Sequence, residues 1–237
     1  MNYALVTGTN KGMGRSISEQ LMRSGYFVFL LDIEFNEIKN DSKFLTKDNH
    51  QFIKVDLSSY DCIEVVEKEV KSRTNKIDLI IFNAGFTDRS PFPEINPENW
   101  VKIQNIFLNI PVFILQKLNP IISSGGNIIF MGSSLGIHPH SLSLSYGVAK
   151  SAVHALVKNL VKFFAIKKVR INAIAPGFID TQWQLEKPDH IRNRISEKIA
   201  LKHFGSPTNV TNLIMHVIDN TYINGSIISI DGGYNFE

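Results

Sequence analysis

The sequence predicts an α/β protein with a parallel sheet that helices cover on both faces. Two observations lead to this prediction. Seven short apolar runs alternate with longer helical patterns along the 237 residues, and strands separated by helices indicate right-handed βαβ units. The runs are also apolar almost throughout, as expected for strands that are buried on both sides. The chain is 43% hydrophobic and 20% charged, which is typical of a globular protein and excludes fibrous and disordered classes.

The predicted strands have the length of ordinary buried strands. They are Tyr3–Thr7, Phe27–Leu31, Phe52–Val55, Leu79–Phe82, Asn127–Met131, Arg170–Ala175 and Ser226–Ile230.

Five helices are predicted between these strands: Ile17–Ser24, Cys62–Arg73, Trp100–Leu118, Tyr146–Ile166 and Val210–Ile218. The first ends before Gly25, a residue type that favours the position after a helix end. The second carries Ile63, Val66 and Val70 at helical spacing. The third contains Pro111, whose ring can kink it.

The least regular part of the chain is the segment at about 180–207, from Asp180 to Pro207, which is rich in charged and amide side chains. Such a loop-plus-helix excursion carries either substrate contacts or a lid. The alternative is an ordinary surface connection.

Charge, cysteine content and the N-terminus exclude several other classes. The net charge of +3 and the absence of a long Lys/Arg block argue against a nucleic-acid binder. A single cysteine, Cys62, permits no internal disulfide and no cysteine-based zinc cluster, and the histidines have no metal-ligand spacing, so we predict no metal. Met1–Gly8 does not resemble a secretory signal, and the longest apolar run, Tyr26–Leu31, is too short to span a bilayer. We therefore expect a cytoplasmic protein that contacts no membrane.

The first strand leads into Thr7-Gly8-Thr9-Asn10-Lys11-Gly12-Met13-Gly14 and then into a helix. The glycines permit a tight turn and a close approach of the backbone to a pyrophosphate. The helix N-terminus adds free N–H groups and a partial positive charge. The Gly-Lys-Ser/Thr sequence of a phosphate-loop nucleoside triphosphatase is absent, so this class is excluded.

Asp32 ends the second strand, eighteen positions after Gly14. A carboxylate at this place can accept hydrogen bonds from the adenosine ribose and would repel a 2′-phosphate. Lys11 argues the other way, because a cation beside the loop can pair with that phosphate. We expect Asp32 to decide the outcome, so NAD is preferred and NADP is disfavoured.

Tyr146 and Lys150 are four residues apart, a spacing that places a phenol and an ammonium on one helix face. A tyrosine with an ordinary pKa of about 10 needs a neighbouring positive charge to exchange protons near neutral pH. Ser133 lies thirteen residues before Tyr146, where its hydroxyl can bind the oxygen of a carbonyl or alcohol.

Taken together, these motifs resemble the short-chain dehydrogenase/reductase family in its shorter, single-domain form. The likeness covers nearly the whole chain. The matching elements are Thr7–Gly14, Asp32, Val55-Asp56-Leu57, Asn83-Ala84-Gly85, Ser133, Tyr146, Lys150, Asn172–Gly177, Thr181 and Asp231-Gly232-Gly233.

The resemblance implies a three-layer Rossmann fold, a doubly wound parallel sheet of about seven strands in one NAD(P)-binding domain over residues 1–237. It also implies an enzyme that interconverts a secondary alcohol and a ketone by hydride transfer. Tyr146 would be the general acid/base, Lys150 would bind the nicotinamide ribose and lower the tyrosine pKa, and Ser133 would position the substrate oxygen. The implied cofactor-binding residues are Gly8, Asn10, Lys11, Gly12, Met13, Gly14, Asp32, Ile33, Asp56, Leu57, Asn83, Ala84, Gly85, Tyr146, Lys150, Pro176, Gly177, Ile179 and Thr181.

Two positions depart from the family pattern. Phe82 stands where the first asparagine of Asn-Asn-Ala-Gly is usual, which is a mild change. Phe107 stands where the family usually has an asparagine that holds a proton-relay water. Asn105 and Asn109 share the nearly opposite helix face, and a helix irregularity near Pro111 would be needed to bring Asn109 into place. Without that, the relay is lost or rerouted.

Several rival functions remain open at this point. Within the family they are a 3-oxoacyl reductase, a ring-diol dehydrogenase and a sugar dehydrogenase. Outside it, Phe107 motivates a nicotinamide-binding sensor or scaffold with weak catalysis. The basic cluster Lys167, Lys168 and Arg170 would suit an acyl-carrier protein, but solvated charge is the commoner meaning, and Ser123–Gly126 lacks the second basic patch of carrier-protein reductases.

Other candidate residues carry weaker expectations. His138, His140, His154, His190 and His203 are expected to be structural or surface residues. The less favoured alternative is that His138 or His140 touches substrate at the mouth of the site. Trp183 would pack over the nicotinamide end, on a ring-shaped substrate, or in the core. Family members form dimers or tetramers through the two long helices, so we expect a homodimer or homotetramer.

Overall fold

The computed structural model describes residues 1–41, 43, 45–46, 48–138 and 143–234. Its centre is a seven-stranded sheet in the order β3-β2-β1-β4-β5-β6-β7, with every neighbouring pair parallel. The predicted doubly wound sheet is therefore confirmed. The strands are β1 Asn2–Thr7, β2 Tyr26–Asp32, β3 His50–Lys54, β4 Ile77–Phe82, β5 Ile122–Met131, β6 Arg170–Pro176 and β7 Ile227–Ile230.

Helices pack on both faces of this sheet. They are α1 Gly12–Arg23, α2 Asn36–Asp41, α3 Cys62–Arg73, α4 Pro97–Gln104, α5 Ile110–Leu118, α6 Leu144–Phe164, α7 Gln182–Leu185, α8 Asp189–Lys198 and α9 Pro207–Asp219. Short 3-10 turns lie at Phe92–Glu94, Asn119–Ile121, Ser134–Gly136 and Ala165–Lys167. None of the described helices is long and apolar enough to cross a membrane.

The alternation of side chains along each strand divides the core into two layers. Leu5 and Ile80 point into the layer covered by α3, α5 and α6, whereas Val6 and Ile81 point into the layer covered by α1 and α9. Both sets of side chains are buried. The strand order reverses between β1 and β4, so their carboxyl ends separate and open a crevice, the usual ligand site in sheets of this kind.

The helix boundaries follow the predictions closely in two places. Helix α3 spans Cys62–Arg73, as predicted. Helix α1 ends before Gly25, whose φ of +82° and whose N–H bond to the Met22 carbonyl are those of a residue after a helix end.

The predicted single helix Trp100–Leu118 is interrupted. Helices α4 and α5 are joined by one π-helical turn, Asn105–Asn109, in which the Ile110 N–H donates to the Asn105 carbonyl. Pro111 follows directly and has no N–H for the ordinary hydrogen bond to residue 107, so the irregularity that its ring predicts is present.

Arg170 does not belong to a solvated basic cluster. It is only 9% exposed, and its guanidinium donates to the carbonyl oxygens of Val217, Ile218 and Ile223. The first two lie in the last turn of α9, where a cation is favoured by the helix dipole. The expectation of solvated charge was wrong here, because Arg170 faces α9 rather than solvent.

Candidate active site

The predicted catalytic residues meet in a cavity of about 660 Å³ at the carboxyl ends of β4, β5 and β6. The predicted site residues that line it are Met13, Asn83, Gly85, Ser133, Tyr146, Lys150, Pro176, Gly177, Ile179 and Thr181. The remaining predicted residues lie outside the cavity, at or just beyond the ends of β1 to β4. They are Gly8, Asn10, Lys11, Gly12, Gly14, Asp32, Ile33, Asp56, Leu57 and Ala84.

The glycine loop folds tightly onto the start of α1. A Cβ atom at Gly14 would lie 1.9 Å from the Gly8 carbonyl oxygen, so only glycine fits there. Gly12 has a φ of +58°, which L side chains rarely adopt.

The N-terminus of α1 is open to an anion. The side chain of Lys11, the N-cap residue, makes no capping hydrogen bond, and no acidic residue occupies the first turn of this described helix. Its N–H groups and positive dipole end are therefore available to phosphate oxygens.

Asn83 ties this loop to the end of β4. Its side-chain amide donates to the carbonyl oxygens of Thr7 and Gly8, both at 3.0 Å. The Thr7 hydroxyl in turn accepts from the N–H groups of Asn83 and Ala84, both at 2.9 Å. Phe82 packs its ring on Phe130, with 4.9 Å between centroids. The residue that departs from the family pattern at this position is therefore a buried core side chain.

Asp32 is fixed at the end of β2 by backbone N–H groups. One carboxylate oxygen accepts from Asn10 at 2.9 Å and the other from Ile33 at 2.8 Å. Burial raises the pKa of Asp32, and these hydrogen bonds lower it in part. Further carboxylates surround the same end: Glu34 accepts from the Asn10 side chain, and Glu37 lies 3.7 Å from Lys11.

Asp56 and Leu57 differ in what they offer a ligand. Asp56 is exposed and accepts from the Ser58 N–H at 2.8 Å, which is the main reason that its pKa is lowered. Leu57 is only 7% exposed and packs in the core.

Ser133 follows β5, and Tyr146 lies in the first turn of α6. The Ser133 side chain is buried and accepts from the Leu135 N–H at 3.2 Å. Burial raises the pKa of Tyr146, and a hydrogen bond that its oxygen accepts from the Ser133 side chain lowers it in part. The two hydroxyl groups therefore face a common point in the cavity.

Lys150 is 3% exposed, and two groups surround its ammonium. The ammonium donates to the Met131 carbonyl at 2.6 Å and lies 3.8 Å from the centroid of the Phe107 ring. Burial lowers the pKa of Lys150 to about 7, whereas the carbonyl and the aromatic face both favour the charged form. The Phe107 ring also meets the Tyr146 ring edge-on at 5.6 Å.

Neither neighbouring asparagine takes the place of Phe107. The Asn105 side chain donates to the Ser58 carbonyl, and the Asn109 side chain donates to Asn105 at 2.9 Å. The π-helical turn is present, yet it does not bring Asn109 to Lys150. The hypothesis that an irregularity would do so was wrong, because the turn leaves Phe107 facing the ammonium.

Comparison with known proteins identifies the family. A family model described as "Enoyl-(Acyl carrier protein) reductase" matches residues 8–235. The 3-oxoacyl-(acyl-carrier-protein) reductase of Aquifex aeolicus is 27% identical over 97% of this chain and 96% of its own. The 2-dehydro-3-deoxy-D-gluconate 5-dehydrogenase of Pseudoalteromonas atlantica is 31% identical over 98% and 94%. A short-chain dehydrogenase/reductase structure from Brucella melitensis superposes with a TM-score of 0.92 at 24% identity, covering 98% of this chain and 96% of the other.

The chain belongs to the short-chain dehydrogenase/reductase family. The prediction of an oxidoreductase with this fold is thereby confirmed. The geometry described above is that of a short-chain dehydrogenase/reductase in which an aromatic ring covers the lysine.

The sequence predicted only that His154 is a structural or surface residue. In the structure, its ring hydrogen-bonds to the backbone of Ser133. Its Nε2 accepts from the Ser133 N–H at 3.4 Å, and a Cβ atom at Gly132 would lie 2.3 Å from that nitrogen. Burial lowers its pKa to about 4, so the ring is neutral near pH 7. No spacing in the sequence connects residues 133 and 154.

The other histidines and Trp183 contribute unequally to the site. His138 is exposed and does not line the cavity, and His140 lies outside the described residues. Trp183 lines the cavity and is 45% exposed, so it does not pack in the core. The alternative of core packing for Trp183 was wrong, because α7 lies at the mouth of the cavity.

We predict that Phe107→Leu shifts the alkaline limb of the kcat/KM profile to lower pH. Leucine keeps the apolar cover but removes the aromatic face, so the pKa of Lys150 falls further below its ordinary value. Because the ammonium is lost as pH rises through this pKa, the limb should move by about 0.5–1 pH unit.

Phe107→Asn should shift the limb in the opposite direction and raise kcat, because a polar side chain solvates the ammonium. Phe113→Leu, on the partly exposed face of α5, is the control. Shifts of the same sign in both Phe107 variants would contradict the assigned interaction.

Proposed function

We propose that this protein interconverts a secondary alcohol and a ketone with a bound nicotinamide cofactor. The observation that carries the proposal is the convergence of Ser133, Tyr146 and Lys150 on one end of the cavity. Three polar groups of these types, on two different elements, are the set that proton transfer to or from a substrate oxygen requires.

The residues present fit such a cofactor. Gly8, Gly12 and Gly14 let the loop fold closely onto the start of α1, whose uncapped N-terminus can bind a pyrophosphate. Asp32 can accept from a ribose, and Pro176, Gly177, Ile179 and Thr181 line the cavity opposite Tyr146. Gly177 is held by close contact with Asp231, whose Cβ would lie 2.6 Å from an added Cβ. When bound, the nicotinamide ring would supply or accept the hydride.

The chain's own groups handle the proton and the substrate oxygen. Ser133 donates to that oxygen and holds it beside Tyr146. Tyr146 gives its proton to the oxygen during reduction and takes it back during oxidation. Lys150 supports this exchange, because its charge stabilises the phenolate, and the Met131 carbonyl holds the ammonium in place.

We predict that Tyr146→Phe lowers kcat about 10²–10⁴-fold with little change in the dissociation constant of NADH. The substitution removes the exchangeable proton but keeps the ring against Phe107. Reduction of a panel of ketones followed by NADH absorbance gives kcat, and fluorescence titration gives the dissociation constant. Tyr222→Phe, 98% exposed, is the matched control. Unchanged turnover in Tyr146→Phe would reject Tyr146 as the acid/base.

Within this function, the adenosine end favours NAD over NADP. Asp32, Glu34 and Glu37 lie around it, and the opposing cation, Lys11, is 3.7 Å from Glu37. A 2′-phosphate placed among these carboxylates is repelled, whereas ribose hydroxyls can donate to Asp32.

Asp32→Ala should therefore reduce the NADH/NADPH preference, measured as the ratio of kcat/KM values, by about 10-fold or more, since one close like-charge repulsion is removed. Asp219→Ala, an exposed acid at the end of α9, serves as the control for net charge. A ratio that stays the same in Asp32→Ala would remove this residue from cofactor selection.

The described surface also supports a homodimer or homotetramer. Large apolar side chains stand exposed on the helices of one sheet face, with Phe163 81% exposed at the end of α6 and Ile166 95% exposed in the 3-10 turn that follows. Exposed apolar groups of this size favour contact with another chain. Sedimentation velocity of the purified protein tests this, and a monomer at micromolar concentration would overturn it.

A further inference from the structure

Four basic side chains line the outer part of the cavity that holds Ser133 and Tyr146. Arg89 comes from the loop after β4, Lys187 from the turn between α7 and α8, and Arg194 and Lys198 from α8. No aspartate or glutamate is among the described residues that line the cavity. Two separate segments of the chain therefore bring positive charge to one opening.

These cations are not used in ion pairs of the fold. Within the described part of the chain, none of the four forms a salt bridge. Arg192, which precedes Arg194 on α8, differs from these four cations. It forms a salt bridge with Asp180 at 3.0 Å, and its guanidinium lies over the Phe204 ring. Arg192 does not line the cavity, although its charge acts on Lys187, whereas Arg194 and Lys198 of the same helix do line it.

The charges at the opening act on one another. Burial lowers the pKa of Lys187, and the positive charges of Arg89 and Arg192 lower it further, whereas Glu186 offsets part of this effect. Bringing cations together in a cleft is unfavourable unless an anion relieves the repulsion, and a cleft with low-dielectric walls strengthens the attraction for that anion.

Two uncharged polar residues, Ser134 and Gln184, also line the cavity. The Ser134 hydroxyl and the Gln184 side-chain oxygen are buried without a hydrogen-bond partner among the described residues. Buried polar atoms are ordinarily paired, so a small rotation of either side chain toward the cavity would let it pair with a hydroxyl group of a ligand.

We propose that the substrate is a free hydroxy acid or oxo acid, whose carboxylate binds at Arg89, Lys187, Arg194 and Lys198 while its reacting oxygen binds at Ser133 and Tyr146. The proposal rests on the proposed function, since it places a charged group at the far end of the same substrate. Arginine forks suit a carboxylate in two-point contact.

An acidic carrier protein is the less favoured occupant. It would bind on an outer surface, whereas these cations line the same cavity as the reacting groups. The stretch Ser123–Gly126 before β5 also lacks basic residues.

The test measures binding without turnover, so that it is independent of catalysis. A ketone cannot react with oxidised NAD, and the intact protein saturated with NAD can be titrated calorimetrically with 4-oxopentanoate, 5-oxohexanoate and the methyl ester of each. We expect the acids to bind about 10–100-fold more tightly than their esters, the range of one or two hydrogen bonds to charged groups.

The double variant Arg194→Gln/Lys198→Gln should remove most of this advantage for the acids and leave the esters unaffected. The dissociation constant of NAD alone, measured in the same variant, should stay within about twofold, because the subsite serves the substrate rather than the cofactor. Lys68→Gln, an exposed lysine of α3 outside the cavity lining, controls for net charge.

Equal binding of acids and esters, or no binding of either, would overturn the subsite. Weaker NAD binding in the double variant with no change for the acids would assign the cations to cofactor phosphates instead. A 3-oxoacyl thioester that turns over only on its carrier protein, and loses this advantage in the double variant, would assign them to that protein. Unchanged turnover in Tyr146→Phe would instead reject the proposed oxidoreduction, so failure of the function and failure of the subsite give different results.

Discussion

The burial of one ammonium group sets the arrangement of the whole proposed catalytic end. Lys150 is almost fully enclosed, and the Met131 carbonyl and the Phe107 ring take the place of water around its ammonium. To bring it to the end of β5, α6 must pack closely on the turn after Ser133. A Cβ atom at Gly136 would lie 2.7 Å from the Lys150 backbone. The position of Tyr146, one turn earlier on α6, follows from this contact.

The sequence predicted the features that depend on local pattern. Apolar runs located all seven strands, although β5 begins at Ile122 rather than at the predicted Asn127, and the spacing of Tyr146 and Lys150 placed both on one helix face. What it missed depends on contacts between distant segments. Arg170 looked like a member of a surface cluster because its partners, the last carbonyls of α9, are about fifty residues away. His154 beneath Ser133 and the direction of Phe107 after the π-helical turn were hidden for the same reason.

The modest net charge conceals a strong separation of charge along the edge of the sheet. The end beyond β2 holds Asp32, Glu34 and Glu37, whereas the opening beside α8 holds Arg194 and Lys198. The two groups nearly cancel in the sum of +3, so composition alone was uninformative about ligands. A ligand pair with hydroxyl groups at one end and an anion at the other matches this separation, and the field helps to orient both molecules.

The position of His154 has a consequence for the tautomer of its ring. Because Nε2 accepts from the Ser133 N–H, the proton must reside on Nδ1, where the ring's other hydrogen bond, to the Gly136 backbone, uses it. The neutral His154 ring thus hydrogen-bonds to the backbone of both Ser133 and Gly136, the two ends of this turn. A proton on Nε2 would turn this acceptor into a donor that faces the Ser133 N–H, so the hydrogen bond between them would be lost. The lowered pKa of His154 therefore keeps the turn intact at neutral pH, through a residue that does not line the cavity.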